Sequence, residues 1–186
     1  MAPLVIGYCL ALLLFLGLPC SSRVNSSLRT DEVRTRRTSN VLGIVHLIAL
    51  LAPVAAALTE FGPRVAPWVA WTAAAIMLAG LMLQRWAQHS LGKNFTLALQ
   101  SAENQHICTR GPYRLIRHPA YLAQILIWDG LAWTSRSIIA GITIAALAVA
   151  AYVYRLSEEG KVLVNSLGAK YQAYAGKTKR LFPYLW

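Results

Sequence analysis

Acidic residues are scarce in this chain: its 186 residues carry seven Asp and Glu against eighteen Lys and Arg, and charged residues make up only 13%. A soluble globular domain carries about 25% charged residues, so a fully water-exposed surface is excluded. Cysteine is scarce as well. Cys9, Cys20 and Cys108 are odd in number, widely spaced and form no CxxC, which indicates neither a disulfide framework nor a zinc site, and no bound metal is expected. Neither GxGxxG nor a P-loop motif occurs, so a Rossmann or P-loop nucleotide site is unsupported. The net charge of +11 would point to nucleic acid in a soluble protein. Here the cations fall in the gaps between apolar runs, so membrane topology explains them better and no nucleic-acid partner is expected.

What the chain has in abundance is apolar surface: 56% of residues are hydrophobic and the mean hydropathy is +0.46. Five apolar segments stand out, at about 4–18, 41–58, 67–83, 121–134 and 138–154. A spanning helix needs roughly 17–25 residues, so the first and fourth are short, and tilt, local thinning or burial would accommodate them. Gln124 and Asp129 in the fourth should face the bundle interior. Only Ser135 to Ser137 join the fourth and fifth, which makes these an antiparallel hairpin. The expected fold is all-α: one domain over 1–186, with five transmembrane helices and a cytoplasmic C-terminal helical cap.

The cations set an orientation. Gaps one and three and the C-terminal tail hold sixteen of the eighteen Lys and Arg, whereas gaps two and four hold only Arg64 and Arg136. By the positive-inside rule the N-terminus is outside and the C-terminus cytoplasmic. That membrane is the plasma membrane in a prokaryotic host and the endoplasmic reticulum in a eukaryotic one. The first segment resembles a signal-peptide core, but no basic n-region precedes it. Cleavage would also invert the charge balance, so a retained helix is expected. The sequons at Asn25 and Asn94 then face the cytoplasm and are not expected to be glycosylated.

Two cytoplasmic regions could carry chemistry. Residues 84–120 open with an interfacial amphipathic pattern broken at Gly92, and residues 155–186 read as one or two short helices that pack back on a surface. Arg155 and Glu159, four apart, share a helix face directly after the fifth span. From spacing alone they are a surface ion pair of small worth. The stretch Gly111 to Tyr121, GPYRLIRHPAY, packs Arg114, Arg117 and His118 against a membrane boundary, where a lipid-phosphate contact is the simplest reading.

Two motifs in this order change that reading. GPYRLIRHPAY, a hydrophobic hairpin, and then R-x-x-E-E-x-x-x-L-x-x-x-L-G-x-x-Y-x-x-Y from Arg155 to Tyr174 resemble the isoprenylcysteine carboxyl methyltransferase family. That family belongs with the membrane phospholipid methyltransferases, and the chain resembles a compact prokaryotic member over about Leu91 to Trp186. The resemblance implies S-adenosylmethionine as methyl donor, held in a cytoplasmic cofactor region at about 91–121 and 155–186. It further implies that Gln105, His106, Ile107 and Cys108 run along the cofactor and that Tyr113 lines the adenosine. His118, Pro119, Ala120 and Tyr121 would bind the amino-acid and sulfonium end, Glu159 the ammonium, and Arg155 the acceptor carboxylate; Arg155 and Glu159 are the catalytic pair. The family's usual His stands one place later here, as His106 after Gln105, and its usual Gly after the motif Tyr is Ala123.

The chemistry agrees with these roles. A carboxylate is already ionised at neutral pH, so methyl transfer to it requires alignment rather than a strong base. Arginine grips carboxylates bidentately, and tyrosine faces attract a sulfonium. The expected reaction is carboxyl O-methylation of an isoprenylated cysteine that enters laterally from the bilayer. The alternatives are a methyltransferase for a phospholipid amine or other lipophilic small molecule, and a non-enzymatic transporter or scaffold built on Asp129 and the basic loops.

Overall fold

The computed structural model describes residues 2–16, 29–60, 62–91 and 108–181. These form α1 (Ala2–Leu16), α2 (Arg29–Thr59), α3 (Pro67–Leu91), α4 (Pro119–Thr134), α5 (Ile138–Leu167) and α6 (Ala169–Lys177), with a 3₁₀ turn at Gly111–Arg114 ahead of α4. Among the described residues, extended pairing is limited to two isolated bridges. Three stretches, Arg37–Thr59, Pro67–Leu91 and Ile138–Asn165, are long and apolar enough to cross a bilayer. The expected count was five. The remaining two segments form α1 and α4, of 15 and 16 residues, which are shorter than a typical span.

The protein is an all-α integral membrane protein, and its surface shows why. Ile44, Leu47 and Leu51 on α2, Trp71 and Met82 on α3, and Ile142 and Val149 on α5 all point outward. Hydrocarbon is the solvent that such faces require. On α3 the exposed Trp68 and Trp86 lie about 27 Å apart at the α-helical rise of 1.5 Å per residue. That separation places one indole near each interface of a core about 30 Å thick.

Inside, α3 and α4 pack backbone to backbone. Ala70, Ala73, Ala74 and Gly80 of α3 are buried, as are Ala123 and Gly130 of α4. A Cβ at Gly130 would lie 2.9 Å from the Ala73 carbonyl, and one at Gly80 would lie 3.0 Å from that of Ala123. Small residues permit this approach where no hydrophobic effect drives helices together. On the other side of α4, Leu42 and Val45 of α2 meet Ala148, Ala151 and Tyr152 of α5, with Tyr121 and Ile125 of α4 packed against them. Gly130→Ala should therefore lower stability by about 1–3 kcal/mol through overpacking. Gly160→Ala, on α5 with open space around it, should gain up to about 1 kcal/mol from helix propensity. Thermal unfolding of the two variants checks the contrast.

Several helices run beyond the expected apolar limits. α5 continues through Arg155 and Glu159 to Leu167 and stops at Gly168, whose φ of +51° breaks the helix. The first part of the expected separate tail helix is therefore the end of α5, because no strong breaker intervenes after Tyr154. α3 likewise continues to Leu91, so residues 84–91 extend a span instead of starting an interfacial segment. α4 begins at Pro119, where proline is pre-organised for the first helical position. At the far end the hairpin turn is tied to the α2–α3 connection: Val65 N donates to Arg136 O (2.9 Å) and Ile138 N to Pro63 O (3.1 Å).

Candidate functional site

At the opposite end, α4 and α5 bring one cluster together with α2. His118, the residue before Pro119, is buried, and its Nδ1 lies 3.5 Å from Glu159 Oε2. Its ring stacks flat on Tyr121, with centroids 5.5 Å apart and planes 2° apart. Arg155 is 3% exposed. Its Nε donates to the Tyr121 hydroxyl at 2.9 Å, and its Nη1 donates to Thr38 Oγ1 and Ser39 Oγ of α2, each at 3.2 Å. Arg155 and Glu159 are thus not a direct ion pair; Tyr121 lies between them, its hydroxyl facing both. Glu158 takes the surface pairing instead, with Lys161 Nζ at 2.7 Å.

The loop carrying His118 is fixed by backbone bonds to the chain after α6. Ile116 pairs in parallel with Lys179, Arg117 N donates to Lys179 O at 2.7 Å, and His118 N donates to Arg180 O at 3.1 Å. Tyr113 is buried beside this strap, and its carbonyl accepts from the Tyr174 hydroxyl at 2.7 Å. Burial pushes the phenols of Tyr113 and Tyr171 up and that of Tyr174 up to about 12, so all three stay neutral donors. Cys108 is half-buried, with Sγ 3.4 Å from the Ser90 carbonyl. Gln105, His106 and Ile107 lie outside the described residues, as do both sequons. Pro119 is fully buried and Ala120 half-buried in the first turn of α4, beside His118 and Tyr121.

Glu159 Oε2 is buried and accepts no hydrogen bond. A buried carboxylate oxygen left unsatisfied is costly, and a ligand cation such as an ammonium would satisfy it. The ring faces of His118 and Tyr121 next to it form an aromatic surface of the kind that attracts a cation. Among the described residues no group of three or more His, Cys, Asp or Glu is placed to hold a metal.

The profile of the phospholipid methyltransferase family matches residues 68–170, more than half of the chain. The chain belongs to that family. It is a membrane methyltransferase, of the family related to the isoprenylcysteine carboxyl methyltransferases. No match was found among curated proteins. The matched stretch of this phospholipid methyltransferase family member holds His118, Tyr121, Arg155 and Glu159 but not the α2 hydroxyls. Sequence reasoning missed Thr38 and Ser39, which no local pattern distinguishes from helix-start residues. It also missed His46, whose Nε2 is 2.9 Å from the Tyr152 hydroxyl and whose ring stacks on Trp128. A histidine inside the apolar run 41–58 was the available signal.

Burial holds the His118 imidazole below its ordinary pKa; Glu159 acts in the opposite direction, and Arg117 and Arg180 reinforce burial. The folded methyltransferase therefore binds fewer protons at His118 than the unfolded chain, whose value is about 6.5. That contribution to stability is present above about pH 6.5 and is lost as pH falls toward the lower folded value. The melting temperature should drop more steeply from pH 7 to pH 5 in the native protein than in His118→Gln.

Proposed function

We propose that the protein transfers the methyl group of S-adenosylmethionine to the carboxylate of a prenylated cysteine drawn from the bilayer. The observation that carries this reading is the buried, unsatisfied Glu159 oxygen beside the stacked His118 and Tyr121, one helical turn from buried Arg155. The residues fit the donor: Glu159 holds its ammonium, and the aromatic faces meet its sulfonium. When bound, the donor supplies an electrophilic methyl on a positively charged sulfur. Tyr113 would line the adenosine, with Gln105 to Cys108 beside it.

Arg155 attracts the acceptor. An acceptor carboxylate arriving between α2 and α5 exchanges the two 3.2 Å bonds from Nη1 to Thr38 and Ser39 for charge-assisted ones. Tyr121, held by Arg155 Nε, links the acceptor end of the cluster to the donor end, so the two reactants are aligned by one rigid unit. In this reading α1 and α4 complete five spans, with the N-terminus outside and α6 covering the cytoplasmic side. The cations accord with that orientation, since Arg110, Arg114, Arg117, Lys179 and Arg180 gather at the His118 end whereas Arg64 and Arg136 stand at the other.

The family match is equally consistent with a second acceptor, a phospholipid amine. An amine must shed a proton before it attacks, and neutral His118 is a group that can take one. Arg155 would repel an ammonium acceptor but could hold the lipid's phosphate. Labelled S-adenosylmethionine offered to purified protein with prenylcysteine analogues and with membrane lipids decides between them. A base-labile methyl ester on the analogue supports the first reading and a methylated amine headgroup the second. Absence of any label transfer, with no calorimetric binding of the donor, sinks both.

A further inference from the structure

We infer that the cavity between the loop ahead of α4 and the segment after α6 binds the phosphate headgroup of an anionic phospholipid. The cavity measures about 340 Å³, and Arg117, Lys177, Thr178, Lys179 and Arg180 contribute to its walls. Four of these residues are cations, and no Asp or Glu lines it among the described residues. Its walls are held by the parallel pairing of Ile116 with Lys179 and by the bonds Arg117 N to Lys179 O and Lys179 N to Leu115 O. Like charges are thus kept together by the backbone instead of spreading apart. Arg117 Nε is buried without a hydrogen-bond partner, an unmet donor on the loop side of the cavity. A tetrahedral anion with several acceptor oxygens matches such a set better than a single carboxylate does.

The surroundings select a lipid as the source of that anion. Leu115, in the same loop, is 50% exposed, and Trp86, which closely approaches Gly111 at the loop's start, is 52% exposed. Exposed apolar and indole side chains beside a basic cluster mark the boundary between hydrocarbon and headgroups. At that depth a lipid places its phosphate in the cavity while its tails continue along the outward apolar faces of the helices. This site uses none of the residues assigned to methyl transfer, so it stands or falls apart from the proposed reaction.

The test follows thermal unfolding of the full chain in a neutral maltoside detergent while dihexanoyl phosphatidylglycerol is titrated. Dihexanoyl phosphatidylcholine and inorganic phosphate are titrated in parallel. The expected result is stabilisation by the anionic lipid, with little by the zwitterionic one or by phosphate. Removing one surface cation should weaken binding about fivefold, so K177Q/K179Q/R180Q should weaken it about a hundredfold. Bulk charge effects are controlled by R110Q/R114Q/K170Q, which removes the same charge outside the cavity and should leave binding intact. Should the first triple variant fail to fold, Lys177→Gln alone, at an exposed position, should still show the fivefold loss. Equal weakening in the control variant, or no response to the anionic lipid, overturns the site. Equal stabilisation by inorganic phosphate overturns the lipid assignment and reassigns the cavity to a free anion.

Discussion

Replacing Arg155 with alanine should reduce methyl transfer at least a hundredfold, the scale on which misalignment of reactants by about 1 Å is felt, while S-adenosylmethionine still binds. The substitution removes the donors to Tyr121, Thr38 and Ser39. Breaking up this network around the buried Thr38 and the half-buried Tyr121 costs about 1–3 kcal/mol, so a lower melting temperature should accompany the loss. Arg155→Lys separates the two effects. Lysine keeps the charge and much of the packing but not the planar fork. If alignment by Nε and Nη1 is what Arg155 contributes, the lysine variant recovers stability more than it recovers turnover. Normal turnover in Arg155→Ala, read with product identification, would remove the residue from the mechanism.

Glu159→Gln should act on the other reactant. The carboxylate that faces His118 becomes a neutral amide of the same shape, and the donor's ammonium loses its counter-charge. Truncating one partner of a buried charge pair costs about 2–5 kcal/mol, so calorimetric affinity for S-adenosylmethionine should fall by at least about thirtyfold. The fold should survive, because the Oε2 atom has no hydrogen bond to lose. An unchanged affinity for the donor would dismiss Glu159 as its ammonium partner. Together the two variants split the cluster, since Arg155→Ala impairs turnover with the donor still bound, whereas Glu159→Gln impairs donor binding itself.

Much of the fold was legible in hydropathy, because lipid-facing side chains announce themselves by being apolar. The helix ends were not. Where α5 stops is decided by Gly168 and not by the polar residues from Arg155 onward, since an α-helix continues past a membrane surface as long as nothing breaks it. The site was legible in part for a related reason. Spacing put Arg155 and Glu159 on one face of one helix, as found. It could not show that Tyr121, from a different helix, stands between them, or that His118 meets Glu159. Partners brought by tertiary packing leave no periodic trace, and Thr38 and Ser39 are the clearest instances. Small residues were present in α3 and α4, but which of them oppose each other depends on register, and only the geometry of Gly80 and Gly130 reveals it.

The strap over the loop ahead of α4 sets an order of events in biosynthesis. By the time α5 has been inserted, the chain already holds His118, Tyr121, Arg155 and Glu159. The backbone partners of Arg117 and His118 are the carbonyls of Lys179 and Arg180, which are made only after α6. Until then a nascent chain carries these four side chains, but the loop that bears His118 lacks the backbone bonds that tie it to the segment after α6. A chain stalled or clipped before Thr178 should therefore keep α2 to α5 and still fail to hold His118 in place.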